Sequence, residues 1–188
     1  MTARRRTRSR GMIAIVIVAC VAGFTIAAVE SSLGAAVYGI PVAISLLLGA
    51  AQGAAIPLGI IRPRIAMAVS TVAVATAALL AVPVATAPWP VSAGSTVGFT
   101  LVLLVVGTFG RWGVGAVGWF AANTAVLILA TVRDHGPVDE RTVVAVLIVF
   151  ASVGLPAYGI GVLLRGRQIA RRQLALEREA TAAEAARR

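Results

Sequence analysis

Residues 142–188 read TVVAVLIVFASVGLPAYGIGVLLRGRQIARRQLALEREATAAEAARR. The first 23 of these carry no charge, and the remaining 24 carry seven Arg and three Glu. At 1.5 Å per residue, an apolar helix of roughly 20 residues crosses a hydrocarbon core of about 30 Å. Thr142–Leu164 therefore reads as a membrane span, and Arg165 marks where it leaves the lipid. Beyond Gly166 the chain has neither Gly nor Pro and is rich in Ala, Leu, Gln, Glu and Arg. These are strong helix formers, so the helix is expected to continue outward. Ile169, Leu176 and Ala183 recur every seven residues, with Ala180 on the same seam. That is the register of a short coiled coil and predicts a homodimer, although Gln173 and Arg187 interrupt the seam at matching positions.

Working back from this span, five more apolar runs appear, at about 12–29, 33–61, 65–83, 91–110 and 113–131. Each is continuous, whereas strands of a membrane barrel would alternate polar and apolar residues over about ten positions. The expected fold is all-α: a polytopic membrane protein of six transmembrane helices, followed by a cytoplasmic amphipathic or coiled-coil helix. Its segments are a basic amino terminus (1–11), a six-helix domain (12–164) and a signalling-type helix (165–188). The first break is placed at Glu30-Ser31-Ser32. The fourth run is the weakest, because it begins in the loop-like residues Val91–Ser95. With the first break at 30–32, no charged residue falls near the centre of any span. That argues against ion-coupled transport, which usually needs such a group.

Orientation follows from Arg placement. Segments 1–10, 62–64, 111 and 165–188 hold fifteen of the seventeen Arg, and the intervening loops hold only Arg133 and Arg141. Cytoplasmic loops collect positive charge, so both termini are expected in the cytoplasm of a multi-pass plasma-membrane protein. The net charge of +10 would point to nucleic acid in a soluble chain, but clustering between apolar runs points to anionic lipid headgroups, at 1–10 and 165–172, and to no nucleic acid. The single cysteine, Cys20, lies in the first run and excludes an intrachain disulfide.

Site-like residues are few. His135 stands among Asp134, Asp139 and Glu140 in the 133–141 loop, either as a pH sensor or weak metal ligand or as part of a solvated turn around Gly136-Pro137. Pro156, inside the last span, is a candidate hinge between span and tail. Gln52 and Asn123 are the only amides within the spans and are expected to bond between helices. Gly49-xxx-Gly53 is a close-packing motif. Trp89 and Trp112 fall at span boundaries, as interfacial anchors do. No phosphate-binding glycine loop, metalloprotease motif or nucleophile elbow is present, so no enzyme activity and no cofactor are expected of this chain.

A short basic start, a compact set of Ala/Val/Leu helices with short loops, and the tail QLALEREATAAEAARR (173–188) together resemble the membrane-embedded input region of sensor histidine kinases. The nearest type is the nitrate-sensor-like and lipid-thermosensor-like subfamily of high-GC Gram-positive bacteria. The resemblance implies a two-component input module cut short before the phospho-acceptor histidine, relaying a membrane-level signal along Ile169, Leu176, Ala180 and Ala183. It transfers no catalytic residue to any position here. The alternative is a stand-alone integral membrane protein, either a transporter or permease subunit or an assembly factor.

Overall fold

The computed structural model describes residues 2–185 and 187. Met1, Ala186 and Arg188, at the ends of segments 1–11 and 165–188, lie outside them, as do the side chains of the 2–10 arginine cluster. Six helices follow in order: α1 (Thr2–Ala36), α2 (Val42–Ile61), α3 (Pro63–Leu80), α4 (Ala93–Phe109), α5 (Trp112–Val132) and α6 (Glu140–Ala185). There is no strand among the described residues. Five helices are long and apolar enough to cross a membrane, whereas α4, at 17 residues, is shorter than the rest.

The helix ends differ from the expected ones at the first turn. Glu30-Ser31-Ser32 does not break α1. Ser31 and Ser32 return their hydroxyls to the carbonyls of Ala27 and Ala28, one turn back, so the helix keeps its own polar groups satisfied. The chain turns at 37–41 instead, where Gly39 adopts φ +65° and Pro41 precedes α2. Both are stronger terminators than a Ser pair. The 33–61 run is thus the end of α1, a turn, and α2.

Helix α4 is the hub. It packs against all five other helices, and α1, α2, α3, α5 and α6 form an arc around it in that order. Phe99, Val102, Leu103 and Val106 of α4 are almost wholly buried, and Phe99 stacks obliquely on Phe150 of α6 at 5.3 Å. The weakest run in the sequence is therefore the best buried helix. At roughly 26 Å it is a little short for the hydrocarbon core, but protein rather than lipid surrounds much of it.

α1 and α2 are held by backbone contact. Pro57 has no N–H, so the carbonyl of Gly53 one turn earlier has no helical donor. That carbonyl faces Gly23 of α1 so closely that a Cβ on Gly23 would overlap it. A Cβ on Gly49 would likewise overlap Ser31 Oγ. Gly49-xxx-Gly53 is therefore an intrachain seam between α1 and α2.

Candidate functional site

The break at 37–41, rather than at 30–32, leaves Glu30 inside a helix. It points into the bundle and is 5% exposed. Ser92 Oγ donates to Glu30 Oε2 at 2.7 Å and Ser95 Oγ donates to Oε1 at 2.6 Å. Ser92 is also the N-cap of α4, accepting from the Ser95 N–H at 2.9 Å, so its hydroxyl hydrogen is committed to the carboxylate. Gly94 lies directly against Glu30, where a Cβ would overlap Oε2. The positive end of the α4 dipole favours a negative charge here. No cation lies within ion-pair distance of Glu30 among the described residues.

Two further polar contacts extend from this point. Ser45 Oγ of α2 donates to the Ser31 carbonyl of α1 at 2.7 Å. Deeper, Ser70 Oγ of α3 donates to Gln52 Oε1 of α2 at 3.1 Å, and the buried Gln52 Nε2 has no partner. Gln52 thus bonds between helices as expected. Asn123 does not: its Nδ2 donates to the Trp119 carbonyl within α5 at 2.8 Å.

Above Glu30 the loops form a packed lid. Tyr38 is buried and donates its hydroxyl to the Pro88 carbonyl at 2.7 Å. It lies in the turn between α1 and α2, outside the spanning segments, and burial together with the Glu30 charge pushes its phenol up to about 12. Trp89 is fully buried and donates its indole N–H to the Ala81 carbonyl at 3.3 Å. It is a core residue rather than an interfacial anchor, whereas Trp112, 77% exposed, suits that role. Arg133 lies over the Trp89 ring at 6.0 Å and donates from Nη1 to the carbonyls of Ala78, Leu79 and Ala81 at 2.7–3.1 Å. It thereby satisfies the carbonyls at the end of α3.

His135 belongs to this lid. Its Nε2 donates to the Ala130 carbonyl at 2.6 Å and its ring stands edge-on to Trp89 at 5.5 Å. Asp134 instead accepts from the Gly136 N–H, closing the turn. Among the described residues no three His, Cys, Asp or Glu side chains converge as a metal site. The structure joins His135 to Trp89 and α5 rather than to the loop carboxylates.

At the opposite end, α6 continues as one helix through Pro156 to Ala185. The Trp119 indole of α5 donates to the Ala151 carbonyl at 3.2 Å, next to the Ser152 carbonyl that Pro156 leaves without a helical donor. Past Arg165 the helix stands clear: Ile169 and Leu176 are 45% and 66% exposed, and Ala180 and Ala183 are exposed as well. All four lie on one face of the tail, and none is covered by the bundle.

Comparison with protein-family models, curated proteins and solved structures finds no match.

Proposed function

We propose that this chain is the membrane input module of a two-component sensor histidine kinase, with six spans and both termini in the cytoplasm of a plasma-membrane homodimer. The observation that carries the reading is α6, one helix of 46 residues that starts beside the lid, packs on the central α4, and ends in an exposed apolar seam. Tyr158 of α6 sits tightly on Gly107 and Gly115, and Gly161 lies against the Leu104 carbonyl. A change in how α4 and α5 pack would therefore displace α6, and a continuous helix would carry that displacement to Ile169 and Leu176. The alternating Arg distribution supplies the orientation, and the kinase assignment rests on the likeness of the 173–188 tail to signalling linkers.

The test is disulfide trapping in vesicles, in a Cys20→Ser background with cysteine placed at Leu176 or Leu174. Mild oxidation should give several-fold more covalent dimer at 176 than at 174. Equal or absent cross-linking at both positions rejects a paired relay helix.

Glu30 favours a second reading, because a carboxylate buried among membrane-type helices is the group that proton-coupled transport uses. Under that reading the chain is a stand-alone transporter subunit. Glu30→Gln should then abolish proton-coupled flux in vesicles while leaving the protein folded.

A further inference from the structure

At the end of the bundle remote from Glu30, α3 and α5 start side by side. They run parallel, and between them lies an open cleft of about 660 Å³ whose mouth carries Arg64, Arg111 and Trp112. A second hollow of about 330 Å³ adjoins it and shares Arg64 and Arg111. Below the mouth the walls are apolar except for Thr71, whose buried hydroxyl has no hydrogen-bond partner among the described residues. Met67 and Gly118 form the floor, packed so closely that a Cβ on Gly118 would overlap the Met67 side chain. Val72 and Val117, 64% and 70% exposed, line the sides and face outward from the bundle.

The charge at the mouth has no internal counterpart. Neither Arg64 nor Arg111 makes an ion pair or side-chain hydrogen bond among the described residues. Four of the seven acids lie at or near the lid (Glu30, Asp134, Asp139, Glu140), and the other three lie on the tail beyond Arg165 (Glu177, Glu179, Glu184). Both helices also begin without a side-chain cap, at Arg62 and Arg111, so their first N–H groups and the positive ends of their dipoles add to the same field. Arg165 of α6 turns to the same place, donating to the Gly110 carbonyl at the α4–α5 turn. An unpaired cationic rim above a largely apolar channel that opens sideways suits a phospholipid whose headgroup carries a net negative charge, with an acyl chain in the channel.

We infer that the α3–α5 cleft is a binding site for an anionic phospholipid, its phosphate held by Arg64 and Arg111 and one acyl chain lying along Val72, Val117 and Ala121. Basic pockets between membrane helices recognise acidic headgroups in this way. Trp112 would sit at headgroup depth, where amphipathic rings are favoured. The inference needs only that the helices span a bilayer, and it is independent of whether α6 relays a signal.

The test uses the full chain in neutral detergent, with lipid occupancy read by native mass spectrometry. The probes are phosphatidylglycerol, phosphatidylcholine with the same chains, and inorganic phosphate. Phosphatidylglycerol should bind about tenfold more tightly than phosphatidylcholine. Arg64→Gln with Arg111→Gln should remove most of that preference. Arg178→Gln with Arg187→Gln, on the tail beyond the 165–172 cluster, should retain it. Ala121→Trp, which fills the channel and leaves the rim intact, should weaken binding of both lipids. The inference is overturned if the Arg64/Arg111 variant keeps its preference, if the tail variant alone loses it, or if no preference exists. It is equally overturned if inorganic phosphate displaces phosphatidylglycerol at comparable concentration, since the site would then take a free anion.

Discussion

The two ends of the helix bundle treat charge in opposite ways. At the lid end, Glu30 is bound by two serine hydroxyls, Arg133 by three carbonyls, His135 by a fourth and the phenol of Tyr38 by a fifth, while the indole of Trp89 shares the Ala81 carbonyl with Arg133. Nearly every polar group there is used within the chain. At the arginine end, Arg64 and Arg111 stand unpaired among the described residues, beside two uncapped helix starts and an open, largely apolar cleft. A buried polar group left unbonded costs about 1–3 kcal/mol, whereas an exposed cation costs almost nothing. The closed end is therefore where stability is held, and the open end is where the molecule can meet something else without losing stability.

That contrast is breakable by substitution, beginning with the strongest effect. Glu30→Ala removes the acceptor from two buried hydroxyls and opens a void beside Gly94, and should lower unfolding free energy in detergent by about 2–3 kcal/mol. A loss below about 0.5 kcal/mol would mean that the lid end is not where the bundle is held. Arg133→Met keeps the side-chain stem but leaves the end of α3 without its donor. It should cost about 1.5–3 kcal/mol by the same measurement, with Trp89 fluorescence shifting to the red as the lid loosens.

A pH series sharpens the same point more gently. The folded Tyr38 phenol holds its proton up to about 12, while an unfolded chain releases it near 10. Stability from the neutral phenol is then complete below pH 10 and is lost as pH rises towards 12, because over that interval the unfolded state binds fewer protons. Thermal unfolding should show this alkaline slope, and Tyr38→Phe should flatten it. The smallest effect belongs to the open end. Arg64→Gln with Arg111→Gln should leave lipid-free stability within about 0.5 kcal/mol of the parent. A large loss would show that these cations are structural and that the two ends are alike.

Much of the architecture is readable without coordinates. Apolar runs longer than the bilayer is thick announce helices, and the Ala/Glu/Arg composition past Arg165 announces a helix that continues. The site was less legible for reasons that lie in particular residues. Glu30-Ser31-Ser32 looks like a loop because it is polar, yet serines in a helix can bond to the carbonyl one turn back and need no water. Val91–Ser95 looks like a loop for the same reason. Ser92 and Ser95 are in fact the partners of Glu30, and Gly94 is small because Glu30 occupies the space a side chain would fill. The two stretches that weaken the span assignments are each other's ligands, separated by about sixty residues of chain. The stronger signal nearby was Gly39-Ile40-Pro41, in the turn that follows the end of α1 at Ala36.

Hydropathy alone marks this as a chain of apolar helices suited to a membrane, since it is a local sum over a window and needs no knowledge of neighbours. Helical periodicity is local too, and it sets Ile169 and Leu176 on one face of the tail. Long-range packing, in contrast, puts the shortest helix at the centre, makes Glu30 an interior residue, and leaves Trp89 in the core and Trp112 at the rim. Those outcomes depend on which surfaces meet, and a serine, glycine or glutamate can be buried wherever a distant partner satisfies its polar atoms or needs its lack of bulk.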